Sequence, residues 1–195
     1  MERELTFALK LLRLSREELR LKMLLHNPNT SEENDECIAT RGQVIYTDGA
    51  CPNNGCGAKH AGMGVFFGDG DNRNISAKLM LPNPTNNRAE LMAILLALEA
   101  CNSTHIEICT DSQYSISALT KWIVNWKKNN WKTASGTPVK NKEILTRLDK
   151  ELSKNRIVEF RHVSNNNHKK PKNKKNKDHY GNYMADKLAN EALLH

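Results

Sequence analysis

An α/β domain, with helices packed on the faces of a mixed sheet, is predicted by three observations on these 195 residues. Segments with strand character and segments with helical apolar spacing follow one another in the order β β β α β α α β α. The first three strands lie close together in the chain, as the arms of an antiparallel meander do. A hydrophobic content of 38% supports one domain with a substantial core, in a chain too short for two average domains.

Residues 2–25, "ERELTFALKLLRLSREELRLKMLL", read as an amphipathic helix with Leu5, Ala8, Leu12, Leu19 and Met23 on one face. Its glutamates argue against a transit peptide, so it is expected to pack on the domain or on a protein partner. "HNPNTSEENDE" after it is polar and poor in apolar residues, a linker that sets residues 1–41 apart. From Gly42 onward "QVIYTD", "AGMGVFFG" and "NISAKLML" are the three strands. "TNNRAELMAILLALEAC" is a helix with Thr85 as N-cap and Leu91, Ile94, Leu95 and Leu98 on its core face. "HIEICTD" returns to strand, "SQYSISALTKWIVNW" to helix and "IVEFRHV" to strand, and "GNYMADKLANEALL" closes the chain as a helix. The sequence contains no internal repeat.

No apolar run approaches the ~18 residues of a membrane span, and no continuous apolar segment of a secretory signal opens the chain. An intracellular protein, cytoplasmic or nuclear, is therefore expected, and a monomer is expected as well. Cys37, Cys51, Cys56, Cys101 and Cys109 make an odd count without CxxC spacing, which fits reduced packing thiols rather than a zinc site. The net charge of +7 is unevenly placed. Six lysines and no acid lie between Lys121 and Lys142, and six more with no acid between Asn165 and Lys177. The remainder of the domain is acidic, so basic patches flank an acidic centre, as in a site that holds cations while gripping a polyanion.

Within "VIYTDGACPNNGCG", Val44, Ile45 and Tyr46 suit a buried strand, whereas Gly49, Pro52, Gly55 and Gly57 break it, which puts Asp48 at a strand end. Glu90 falls in the first turns of the long helix, Asp111 ends the fourth strand, and Asp186 is expected early in the last helix. Each alone has an ordinary explanation: a turn carboxylate, a helix-dipole partner, or a cap for the helix that begins at Ser112. Together they differ, because strand ends and helix starts of an α/β sheet meet at one edge, where several acids repel unless cations separate them. Carboxylate oxygens are the ligands magnesium prefers, and two ions about 3.5–4 Å apart clamp both oxygens of a phosphodiester displacement.

Five blocks in order, "YTDGACPNNGCG", "TNNRAELMAILLALEA", "CTDSQY", "WIVNWKKNNWKTASGTPVKNKEIL" and "GNYMADKLANEA", closely resemble those of type 1 ribonucleases H, over about residues 43–193. The resemblance implies a ribonuclease H-like five-stranded mixed sheet with its first three strands antiparallel, a catalytic domain over 42–195, and hydrolysis of the RNA strand of RNA/DNA hybrids. It implies two Mg2+ ions, replaceable by Mn2+, 5′-phosphate and 3′-hydroxyl products, and a role in removing hybrids or primers in DNA replication. Asp48, Glu90, Asp111 and Asp186 match the family's metal-binding acids, with Glu90 also facing the 2′-hydroxyl beside the scissile phosphate. Cys51, Asn53, Asn54, Asn86 and Asn87 match positions that touch RNA sugars or minor-groove edges, where the 2′-hydroxyl distinguishes RNA from DNA. Turn formation is the alternative for the asparagines, and for Asn53 and Asn54 both can hold.

Residues 121–142 resemble the family's basic protrusion, in which Trp122, Trp126 and Trp131 alternate with Lys127, Lys128 and Lys132 so that rings meet sugars and ammonium groups meet phosphates. Trp126 equally fits a core anchor. Thr85 and Asn141 match a pocket for a DNA phosphate. The chief departure is "SNNNHKKPKNKKNKDHY", an insertion over about 164–180 where relatives carry a short loop with a histidine that aids product release. Alignment favours His168 for that role over His179 and His162. The lysine tract fits a solvated loop, added phosphate contacts or a nuclear address. Two rival readings are a binding module of the same fold without chemistry, disfavoured by survival of all four acids, and an integrase-like phosphoryl transferase, disfavoured by the Trp/Lys protrusion and the asparagine turns.

Overall fold

A computed structural model describes residues 42–54, 57–79, 82–154, 156–164, 171 and 174–194. The N-terminal helix and linker expected over residues 1–41 lie outside the described residues, as does His168. The elements are β1 (Gln43–Ala50), β2 (Ala61–Phe66), β3 (Ile75–Leu79), α1 (Asn86–Ala100), β4 (His105–Thr110), α2 (Gln113–Ser117), α3 (Ile123–Lys128), α4 (Lys142–Leu152), β5 (Ile157–His162) and α5 (Lys177–Glu191). A π-helical turn, Ala118–Trp122, joins α2 to α3, so the single helix expected there carries a change of register.

The strands form one sheet in the order β3-β2-β1-β4-β5. β1, β2 and β3 pair antiparallel, whereas β4 runs parallel to both β1 and β5, in agreement with the expected meander and mixed sheet. Alternation along β1 sends Ile45 to one face and Tyr46 to the other. Ile45 joins α1 and α4 in the main core with Leu91, Ile94, Leu145 and Leu148. Tyr46 packs with Phe66, Cys109, Val163 and Ala185 under α5. Thr85 caps α1, accepting a hydrogen bond from the Arg88 amide at 3.3 Å, a contact worth about 1 kcal/mol. Among the described residues no helix is long and apolar enough to cross a membrane.

Two further elements differ from the sequence expectation. β1 does not stop at Asp48, which pairs with Gly64 inside the strand; the antiparallel ladder continues to Ala50↔Gly62, although the parallel ladder to β4 ends at Tyr46↔Cys109. Gly49 is thus a strand residue rather than a breaker. α5 begins at Lys177, because Asn176 caps it through the His179 amide at 3.0 Å, and Asp178 in its first turn accepts from the Tyr46 hydroxyl at 3.0 Å and pairs with Arg161. Asp186 therefore lies past the middle of α5 and not early in it, and the last residues of the expected insertion are helical.

Glycines set how closely the layers approach. A Cβ on Gly62 or Gly64 would fall onto the carbonyl oxygen of Ala189 or Ala185, so β2 accepts α5 directly against its backbone. On the opposite face a Cβ on Gly49 would lie 2.5 Å from the Glu90 amide nitrogen. Both contacts position carboxylates.

Candidate active site

Where β1 loses its partner β4 beyond Tyr46, the sheet opens into a cleft at the carboxyl ends of the two parallel strands. Asp48 reaches it from β1, Asp111 from the residue after β4, Glu90 from the second turn of α1 and Asp186 from α5. Asp48, Glu90 and Asp111 each offer an oxygen within 4.8 Å of the others, and Asp186 lines the same cleft. The four acids predicted from sequence therefore converge.

Their surroundings differ. Asp48 and Glu90 are 5% and 3% exposed. Asp48 accepts from the Gly49 amide through Oδ1 at 2.7 Å, and Glu90 Oε1 accepts from Asn86 Nδ2 at 3.4 Å. Asp48 Oδ2 and Glu90 Oε2 are buried and have no hydrogen-bond donor among the described residues. Burial, followed by the charges of Asp111 and Asp186, holds the Asp48 carboxyl well above the ordinary carboxylate range; burial, followed by the charges of Asp48 and Asp111, does the same to Glu90. Buried acids with orphaned oxygens and like charges close by form a donor set that fits a hard divalent cation, which would remove the repulsion and fill the unused lone pairs.

Asp111 and Asp186 are less buried and each meets an amide from α5. Asn182 Nδ2 stands 3.5 Å from Asp111 Oδ2, and Asn190 Nδ2 donates to Asp186 Oδ1 at 2.9 Å. The cap role open to Asp111 belongs instead to Ser112, whose hydroxyl accepts from the Ser115 amide at 3.3 Å. His162 Nε2 lies 3.2 Å from the Asp111 carbonyl, the neighbour expected from the register Thr110↔His162. His179 sits in the first turn of α5.

The turn after β1 is stitched to the start of α1. Asn54 Oδ1 accepts from the Asn86 amide at 3.1 Å, Cys51 Sγ is 3.5 Å from the Pro84 carbonyl, and Asn53 holds a left-handed φ of 58°. Cys51 and Asn86 line the cleft and Asn87 is exposed beside it. For Asn53 and Asn54 the turn role is real. Thr85 and Asn141 come together through Arg88, which Thr85 caps and whose Nη1 donates to Asn141 Oδ1 at 3.2 Å while Nη2 pairs with Glu143 at 2.7 Å. Asn141 has a left-handed φ of 61°, and its Nδ2 lies 3.5 Å from the Tyr114 hydroxyl.

Along the protrusion the rings of Tyr114, Trp122 and Trp126 form a chain with centroids 5.9 and 5.6 Å apart. Trp122 is 39% exposed, whereas Trp126 and Trp131 are half-buried against the core, so the anchor reading of Trp126 holds for part of its ring. Lys128 and Lys132 are exposed, but Lys127 Nζ is engaged by Asp149 of α4 at 2.7 Å. Sequence reasoning missed Gly49, Arg88, Asn182 and Asn190. The spacing 182, 186, 190 was a signal for the last two, since residues four apart share a helix face.

A family model described as RNase H matches residues 40–194. A ribonuclease H of Schizosaccharomyces pombe is 45% identical over 147 residues, 75% of this chain and 51% of that protein. One of Clostridium botulinum is 43% identical over 155 residues, 77% of this chain and 94% of that protein. Human ribonuclease H1 is 36% identical over 151 residues, so the chain spans about half the length of the yeast and mammalian relatives it matches. Among solved structures, LC9-RNase H1, a type 1 RNase H with the type 2 active-site motif, superposes with a TM-score of 0.56 at 25% identity, covering 78% of this chain and 72% of that one. The foamy viral protease-reverse transcriptase in complex with RNA/DNA hybrid shares the fold, with a TM-score of 0.55 at 20% identity over 80% of this chain and 20% of that one.

Proposed function

The chain belongs to the ribonuclease H family, and from that premise we propose that it hydrolyses the RNA strand of RNA/DNA hybrids, leaving 5′-phosphate and 3′-hydroxyl ends. Asp48, Glu90, Asp111 and Asp186 are the ligands for two Mg2+ ions, with Mn2+ a competent substitute. The observation that carries this reading is the convergence of Asp48, Glu90 and Asp111 within 4.8 Å, with buried, donorless oxygens on the first two. When bound, such ions activate water and stabilise the charge that develops on the phosphodiester.

The residues of the chain do the rest. Gly49 and burial fix Asp48, and Asn86 fixes Glu90, so little side-chain reorganisation accompanies ion entry. Glu90 faces the 2′-hydroxyl, and Cys51, Asn53, Asn54, Asn86 and Asn87 border the RNA strand, which supports selection of RNA over DNA. Trp122 and Trp126 meet sugars and Lys128 and Lys132 meet phosphates of the hybrid, and Thr85 with Asn141 receives a phosphate of the DNA strand. Lys127 contributes through its tether to α4. His168 assists product release; His179, in the first turn of α5, and His162, beside Asp111, are the alternatives. The biological role that follows is removal of hybrids or primers during DNA replication, by an intracellular monomer.

The test is a side-by-side incubation of labelled hybrid, duplex RNA and duplex DNA with magnesium and with a chelator. Cleavage of the RNA strand of the hybrid, in magnesium only, is expected. Equal cleavage of duplex DNA, or cleavage in chelator, would refute the reading.

A further inference from the structure

Asp186 is the carboxylate of the cleft that the sheet does least to fix. Asp48 lies inside a strand, Asp111 directly follows one, and Glu90 is pressed against Gly49. Asp186 instead projects from a helix that reaches the cleft from one side, and it is only half-buried. Four residues further along α5, on the same face, the Asn190 amide nitrogen donates at 2.9 Å both to Asp186 Oδ1 and to the Asp186 main-chain carbonyl. Two bonds from one amide to the two ends of one aspartate restrict its side-chain torsions. Asn190 also lines the cleft with all four acids.

We infer that Asn190 is a positioning residue, which presets the Asp186 carboxylate toward the cleft so that a divalent cation meets it already oriented. This rests on the function proposed above. An exposed aspartate without such a partner samples several rotamers, and the ordering cost is then met at the moment of ion binding. Groups that hydrogen-bond to ligand carboxylates commonly change metal affinity or activity by ~10–100-fold when removed. Because Asn190 is exposed, the low end is expected here.

Asn190→Leu removes the donor without weakening the helix, since leucine favours helix more than asparagine does, and Asn190→Gln keeps an amide. Two quantities are measured on the full chain: the magnesium concentration that gives half-maximal hybrid cleavage, and the rise in melting temperature on adding magnesium to chelator-treated protein. For Asn190→Leu the half-maximal concentration should rise about tenfold, with the saturated rate within about threefold of wild type and the melting-temperature rise reduced. Asn190→Gln should recover part of both, and neither variant should change the melting temperature in chelator by more than a few degrees. A wild-type protein that binds magnesium and cleaves hybrid beside an Asn190→Leu variant with the same magnesium requirement overturns the inference and leaves the proposed activity standing. So does a lower saturated rate at an unchanged magnesium requirement, which would make Asn190 a substrate contact. A wild-type protein that neither binds magnesium nor cleaves hybrid removes the function and the inference together.

Discussion

Gly49 and Glu90 touch backbone to side-chain position: a Cβ added to Gly49 would lie 2.5 Å from the Glu90 amide nitrogen and 2.7 Å from the Ala89 carbonyl carbon. No rotamer change relieves a clash with main-chain atoms. Gly49→Ala must therefore push α1 away from β1 exactly where Asp48 and Glu90 meet. We expect destabilisation of at least about 1–3 kcal/mol, together with a loss of hybrid cleavage that excess magnesium does not recover. Denaturant unfolding and rate measurements on the same preparation check both; unchanged stability would mean that the two elements have slack.

Lysines of the protrusion should separate into two kinds. Lys128→Ala and Lys132→Ala should each lower the salt dependence of hybrid binding, by up to ~0.9 in log–log slope for a B-like duplex. Lys127→Ala should alter the slope much less, because its ammonium is engaged by Asp149. Binding isotherms at several salt concentrations measure this, and equal slope changes for all three would show that the Asp149 pair opens when hybrid binds.

Without metal, Asp48 and Glu90 should make stability depend on pH. Burial and neighbouring carboxylates raise both groups, so the folded state holds more protons than the unfolded state above the ordinary carboxylate range. In that window stability falls as pH rises. Glu90→Gln removes one member of the pair, so its melting temperature in chelator should gain on wild type as pH rises above the ordinary carboxylate range, and magnesium should shrink the gain. A difference independent of pH would contradict the electrostatic account of the cleft.

The arrangement of the sheet and three of the four acids were legible because they depend on local signals: β-branched runs for β1 and β4, the Thr85 cap for α1, and strand ends that meet at one edge. The extent of β1 was not legible, since Gly49 and Ala50 stay in the strand only through pairing with Met63 and Gly62 far along the chain. Asp186 was found by its motif but misplaced within its helix, because the Asn176 cap and the Tyr46–Asp178 contact that begin α5 early are not visible in a lysine-rich segment. The close approaches at Gly49, Gly62 and Gly64 are likewise tertiary, and a glycine in isolation reads as a turn. Lys127 looked like Lys128 in sequence and differs only because α4 brings Asp149 beside it.

The central claim is that the four-carboxylate cleft performs the chemistry while other surfaces hold the hybrid, and Asp48→Asn divides the two. The change keeps the size of a strand residue that is 5% exposed, keeps the neighbouring Gly49 amide, and removes one charge from the cation site. Hybrid binding in chelator should stay within about threefold of wild type, since the basic surfaces set affinity, whereas cleavage of the RNA strand in saturating magnesium should fall by at least about a thousandfold. Cleavage by Asp48→Asn near the wild-type rate, with binding intact, would contradict the account.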